Sequence, residues 1–585
     1  MRTTRNHLVL VVLAVLALCA RVIAATQPVH AAHVMVVSVH ELGSRAGAEI
    51  MRAGGNAVDA AVATGFALAV VHPAAGNLGG GGFMLVRLAD GETHFVDFRE
   101  KAPAAATPDM YLDARGNVIQ GASEFGYRAI AVPGSVAGLV YAEKHFGKLR
   151  LAQVMAPAIK LAQDGYALSW EEARDFEKDK HLGEMAESRR IFQRDGNYYK
   201  PGEIFQQPEL ARTLERIASD PDDFYHGAMA RELAASIQKG GGLLTANDLA
   251  GYEVKERAPV QGSYRGYEIL SAPPPSSGGT ALIEILNILE GYDLAKTGSR
   301  SAESVHLIAE AFRRAFYDRA EFLGDPDFSR IPVAQLIDKR YGAAWRESID
   351  PAHATGSKEL KRPSIFGALE QYAAEHPQPT ARPESPHTTH YSVVDAEGNA
   401  VAVTTTLNDW FGSRVTAPGL GFLLNDEMDD FTVKPGVGNG DDLIQAPANA
   451  IAGGKRPLSS MAPTIVLHNG EPFLVLGSPG SSRIITTVAN VLVGVVDYAM
   501  NIQEAVNAPR FHHQWLPDIL SVEKWFSPDS VHLLEQMGYK VTVGVGHGED
   551  WRPYWSDAEC IAIDPGSGER LGASDGRNSG KAVGY

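Results

Sequence analysis

Cysteine is nearly absent: Cys19 and Cys560 are the two in 585 residues. Cys19 lies in an N-terminal leader, so a chain that loses the leader keeps one thiol and can form no internal disulfide. Cys560 has no evident activating neighbour and is expected in a core strand. Stability must then come from a large core, which 585 residues at 45% hydrophobic can supply. Positive charge is also scarce, with 53 Lys and Arg against 70 Asp and Glu and a net charge of -17. That balance argues against nucleic acid and against an anionic membrane surface as partners. The apolar run Leu8–Leu18 is too short for a comfortable membrane span. Arg2 and Arg5 precede it and small residues follow around Val22-Ile23-Ala24-Ala25, the layout of an export signal. We expect residues 1–24 to be a signal peptide, with Ala31-Ala32 as a second cleavage site. Export to the periplasm or the medium follows, without a stable membrane anchor. Leu18 before Cys19 is larger than a lipoprotein cleavage site usually takes. A phosphate loop is lacking too: Gly79–Gly82 runs into a strand and no Lys-Ser/Thr follows, so close backbone packing is expected there.

What is present is a set of hairpins among helices. Thr388–Asp395 and Ala400–Thr406 alternate in the period of a strand, and Ala396-Glu397-Gly398 reads as a three-residue loop with Gly398 left-handed. That register pairs Asp395 with Asn399 and sets Thr388 opposite Thr406, with Thr388, His390 and Ser392 on one face. Phe83–Leu88 with Thr93–Arg99, and Thr464–His468 with Phe473–Gly477, form two more hairpins, turned by Asp90-Gly91 and Asn469-Gly470. Tyr264–Leu270 reads as one strand. Helices are predicted over Ser44–Ala53, from Asn56 as a cap, and over Val136–Lys144, Leu151–Asp164, Ser169–His181, Ala281–Leu289, Ser304–Asp318, Ser482–Met500 and Pro528–Met537. Strands are expected again near Val541–Val545 and Cys560–Asp564. Helices before, between and after hairpins predict an α+β fold with helices on both faces of stacked antiparallel sheets. The stretch 357–387, rich in Pro, Lys, Glu and Gln, reads as an exposed, mobile tether ending at Thr388. A nick there would explain why such a tether leads into a strand.

A threonine hydroxyl attacks an amide only if a base takes its proton. Cutting the chain just before Thr388 supplies one, because the new α-amine has a pKa of roughly 7.7 to 8.0. His512-His513 could suggest a metal, but adjacent residues on a helix or strand do not converge on one ion, so structural roles are expected. On Thr388-Thr389 alone an ordinary Thr-rich strand is the better reading.

The motifs Gly76–Met84, Asp97-Phe98-Arg99-Glu100, Thr388–Ser392, Asn425–Phe431, Lys455–Met461 and Gly477–Arg483, in this order from roughly Val34 to Tyr585, resemble the γ-glutamyltransferase (glutathione hydrolase) family of N-terminal-nucleophile hydrolases. The resemblance implies a four-layer αββα sandwich and a proenzyme that cuts itself between His387 and Thr388. Residues 25–387 would be the large subunit and 388–585 the small catalytic subunit of a heterodimer. It implies Thr388 as nucleophile and α-amine base, Thr406 as its supporting hydroxyl, and the backbone N–H groups of Gly480 and Ser481 as an oxyanion hole. Ser481 stands where the family usually has a second glycine. Arg99, Ser459 and Ser460 match the groups that hold the substrate α-carboxylate, and Asn408, Glu427 and Asp430 match those that meet its α-ammonium. The expected partners are small molecules: a γ-glutamyl donor such as glutathione, with water, an amino acid or a peptide as acceptor. The expected chemistry uses no cofactor or metal. Pro435–Gly454 has the length of a lid, with Asp441-Asp442 about where many members carry a covering aromatic residue. A cephalosporin (glutaryl) acylase of the same fold and an unprocessed γ-glutamyl-binding protein are the alternatives.

Overall fold

The computed structural model describes residues 26–367, 369, 371, 388–434, 447–544 and 555–585. The signal region, His387 and Asp441-Asp442 lie outside the described residues.

Two seven-stranded antiparallel sheets stack face to face. The first runs, in spatial order, Lys581–Gly584, Met35–Ser38, Thr388–Val394, Ala400–Thr406, Gly81–Arg87, Thr93–Phe98 and Lys255–Arg257. The second runs Val29–Ala31, Arg570–Ala573, Cys560–Ile563, Glu471–Leu476, Thr464–His468, Tyr267–Ser271 and Val260–Tyr264. Alternation along each strand sends residues to opposite sides. Val36, Met84, Tyr391, Val393 and Val401 pack with helices Glu41–Arg52, Ala57–Val71, Ser135–Phe146 and Leu151–Asp164. Met35, Val37, Phe83, Leu85 and Ala402 face the second sheet, whose far side carries helices Gly278–Leu289, Ala302–Phe322 and Arg483–Val496. The layers are thus helix, sheet, sheet, helix, the α+β sandwich expected.

Local chemistry explains the elements. Asn56 caps Ala57–Val71 through a capping box, accepting from the N–H groups of Val58 and Asp59 while Asp59 accepts from Asn56 N–H. All fifteen residues of that helix are buried, which its Ala and Gly content permits: a Cβ on Gly65 would lie 2.6 Å from the Tyr391 hydroxyl. The hairpin register is the one read from sequence, Thr388 opposite Thr406, closed by Asp395 N–H donating to Asn399 O at 3.1 Å.

Two expectations change. Tyr264–Leu270 is not one strand: the chain turns at Arg265-Gly266, with φ of 53° and 86°, so Val260–Tyr264 and Tyr267–Ser271 pair as a hairpin. The sequence hides it because Arg at the first left-handed position is not a turn-former. The start of the stretch read as an exposed tether is docked. Ser357 N–H donates to Asp518 Oδ2 at 2.8 Å and its hydroxyl to Trp515 O at 2.6 Å. Arg362 donates to Asp318 and Glu321, each at 2.7 Å. Composition marks Arg362 as solvent-seeking; two buried carboxylates on helix Ala302–Phe322 reverse that.

Candidate active site

Thr388 begins a central strand of the first sheet, and its Oγ1 donates to Thr406 Oγ1 at 3.2 Å. Thr406 Oγ1 also accepts from Asn408 N–H at 2.9 Å, while Asn77 Nδ2 donates to the Thr406 carbonyl at 2.9 Å. The glycine run beside Asn77 is close packing, as expected: a Cβ on Gly80 would stand 2.0 Å from that carbonyl. Below Thr388, His390 and Ser392 point between the sheets. Ser392 donates to Glu559 O at 2.7 Å, so its oxygen accepts from His390 Nε2 at 3.1 Å, and His390 Nδ1 takes the Thr404 hydroxyl at 2.9 Å. Burial lowers the His390 pKa to about 3, so this imidazole is a neutral strut.

Arg99 directly follows strand Thr93–Phe98, with its side chain wholly buried. Nη1 donates to Glu427 and Nη2 to Asp430. Nη2 also reaches Leu458 O at 3.2 Å and Nε reaches Pro457 O at 3.3 Å. Glu100 lies 3.6 Å from Nη1. Three carboxylates therefore surround one guanidinium. Burial raises the Glu100 pKa to about 7 against the pull of Arg99, and pushes Glu427 well above the usual carboxylate range. Arg99 stays charged: burial opposes its charge, and Glu427, Asp430 and Glu100 outweigh it.

Ser459 Oγ accepts from Met461 N–H at 3.1 Å and Ser460 Oγ accepts from Arg319 Nη2 at 2.9 Å. Gly480 and Ser481 lie just before helix Arg483–Val496 with φ of 127° and 50°. Asn408, φ 77°, donates through Nδ2 to Asp426 O at 3.3 Å.

One cavity gathers Arg99, Thr388, Thr406, Asn408, Glu427, Asp430, Ser459, Ser460 and Ser481 from segments nearly four hundred residues apart in sequence. Gly480 is the chain neighbour of Ser481. Arg319 shares the lining without a motif to mark it. It sits near the end of a long helix, where a basic residue ordinarily caps the dipole in solvent, and nothing local marks it as buried. Thr388 also borders a second cavity, with His40, Glu172, Trp410 and Asp557 in its wall. The histidine pair has structural partners: His512 bonds Thr486 and Gln514, and His513 bonds Asp518 and the N–H of Trp515. Cys560 is buried, its thiol pushed up to about 12 by burial.

A helix–sheet–sheet–helix sandwich with a strand-initial threonine at the mouth of a polar cavity defines an N-terminal-nucleophile hydrolase. Within that class the chain belongs to the gamma-glutamyltranspeptidase family, whose model matches residues 43–585. A glutathione hydrolase proenzyme of Pseudomonas sp. (strain A14) is 49% identical over 574 residues, covering 96% of each chain. The glutathione hydrolase proenzyme of Escherichia coli (strain K12) is 48% identical over 554 residues, covering 94% of this chain and 91% of that one. Among solved structures, a cephalosporin acylase from Bacillus halodurans superposes with a TM-score of 0.82 at 27% identity, covering 95% of this chain and 97% of the other.

Proposed function

We propose that this enzyme cuts itself before Thr388 and then cleaves γ-glutamyl amides such as glutathione, passing the γ-glutamyl group to water, an amino acid or a peptide. The observation that carries the reading is the charge pattern around Thr388. Guanidinium (Arg99) and carboxylates (Glu427, Asp430) line the same cavity as the hydroxyl, which suits a zwitterionic α-amino acid end attached to a reactive carbonyl.

In the first reaction Thr388 Oγ1 attacks the carbonyl of His387. The peptide bond becomes an ester, water releases it, and residues 25–387 and 388–585 remain together as a heterodimer. The freed α-amine is then the base. It takes the hydroxyl proton as Oγ1 attacks the γ-carbonyl, the N–H groups of Gly480 and Ser481 receive the oxyanion, and the proton passes to the departing amine as the C–N bond breaks. A γ-glutamyl ester on Thr388 remains. Water or an acceptor amine, activated by the same α-amine, attacks it and restores the Thr388 hydroxyl. Arg99, Ser459 and Ser460 hold the α-carboxylate, and Asn408, Glu427 and Asp430 hold the α-ammonium. The leader implies action outside the cytoplasm.

A glutaryl acylase fits less well. A glutaryl group brings no ammonium to Glu427 and Asp430, and the 49% identical relative is a glutathione hydrolase proenzyme, while an acylase ACY 1 proenzyme of Pseudomonas sp. (strain SE83) is 38% identical. An unprocessed γ-glutamyl-binding protein would stay one chain.

The test is intact-mass and N-terminal analysis of purified protein, followed by γ-glutamyl-p-nitroanilide hydrolysis. The expected result is two fragments, the smaller beginning at Thr388, with activity in the pair. An active protein that remains a single chain, or is cut elsewhere, would overturn the proposal.

A further inference from the structure

We infer that Arg319 is a positioning residue for the substrate α-carboxylate, acting through the Ser459-Ser460 pair; the inference rests on the γ-glutamyl reading above. Arg319 is 2% exposed and lines the Thr388 cavity. It touches the serine pair by two routes. Nη2 donates directly to Ser460 Oγ at 2.9 Å. Nε donates to Ser277 Oγ at 2.9 Å, and Ser277 in turn donates its hydroxyl and its N–H to the Ser459 carbonyl, each at 2.7 Å.

The direction of these bonds decides what the serines can do. A guanidinium carries donors and no acceptor, so Ser460 Oγ must accept from Arg319. Its own proton is then aimed away from that guanidinium, available to an anion in the cavity, and the positive charge behind the oxygen makes it a stronger donor. Ser277 is oriented the same way: its oxygen takes the Nε–H, so its proton goes to Ser459 O. One planar group thus sets the hydroxyl of Ser460 and the backbone of Ser459 together.

The experiment compares γ-glutamyl-p-nitroanilide with 4-aminobutyryl-p-nitroanilide, which keeps the amine and lacks the α-carboxylate. The preference ratio in kcat/KM is measured for wild type, Arg319→Met, Ser460→Ala and the double variant. Arg319→Met is expected to lower that ratio about 10- to 100-fold, chiefly by raising KM for the γ-glutamyl substrate. Ser460→Ala should do the same, and the double variant should match the worse single one, because the arginine acts through the serine. Arg319→Lys, which restores a cationic donor, should recover part of the preference, and it carries the test if Arg319→Met fails to fold or split. A variant that keeps the wild-type ratio, loses both substrates equally, or adds to Ser460→Ala independently overturns the inference. Wild type without any preference for the γ-glutamyl substrate overturns the functional reading beneath it.

Discussion

The hydroxyl of Thr388 donates to that of Thr406, directly across one hairpin, at 3.2 Å. The acceptor oxygen is itself fixed by Asn408 N–H, and the strand end by Asn77 on the Thr406 carbonyl. Thr406→Ala is therefore expected to slow chain splitting and turnover alike by about tenfold, the worth of one oriented hydrogen bond. Thr388→Ala should stop both. Splitting is followed by gel over time and turnover with the γ-glutamyl anilide; a Thr406→Ala enzyme that splits at the wild-type rate would refute the first expectation.

Ser481 occupies a left-handed backbone position, φ 50°, that costs a side-chain-bearing residue about 1 kcal/mol. Ser481→Gly is expected to keep the turnover number, because the proposed donor is the main-chain N–H. Gly480→Ala should behave oppositely. Its φ is 127° and the added Cβ would lie 2.2 Å from Ser556 Oγ, so the loop must move and kcat should fall. The pair of kcat values checks the claim.

The Arg99 cluster predicts a pH dependence of binding. Burial holds the Glu100 carboxyl up at about 7, so it is partly protonated in the free enzyme at neutral pH. A bound ammonium favours the ionised cluster, so binding below pH 7 releases protons and affinity rises from pH 5 to 8. Competitive inhibition by glutamate should tighten over that range. Glutarate, which has the carboxylate and no ammonium, should weaken as the cluster gains negative charge. Identical slopes for the two inhibitors would defeat this account.

Removing the cation has a structural cost as well. Arg99→Met leaves Asp430 without its cation, while Glu427 and Glu100, already pushed up by burial, take up protons, so a loss of roughly 1 to 3 kcal/mol is expected. It is best measured by urea unfolding in the single-chain Thr388→Ala background. A loss above roughly 4 kcal/mol would show instead that the carboxylates stay ionised without the cation.

The parts of the fold that were legible in the sequence are those governed by neighbours along the chain. The Thr388–Thr406 register followed from a loop with Gly398 left-handed, and the start of helix Ala57–Val71 from Asn56 as its cap. Residues brought together from distant segments were legible through spaced motifs: nine of the ten proposed site residues line one cavity, with Gly480 adjacent. What stayed hidden depends on partners far away in sequence. Arg319 looks like any basic residue near a helix end until Ser277 and Ser460 stand beside it. The docking of Ser357 needs Asp518 and Trp515, and Arg99 carries no mark that its guanidinium is already held by Glu427 and Asp430.

The order of strands in the first sheet has a consequence for the lifetime of the enzyme. Strand Met35–Ser38 lies between Lys581–Gly584 and Thr388–Val394, and Gly81–Arg87 bonds to Ala400–Thr406. A cut before Thr388 would leave two polypeptides woven through a common hydrogen-bonded ladder, so neither could leave without tearing the sheet apart. The intact precursor threads that weave as a single chain. Once severed, the halves could rebuild it only by meeting in solution, so recovery after denaturation would depend on concentration. Scission would then convert a foldable polypeptide into an assembly whose persistence rests on how slowly it opens.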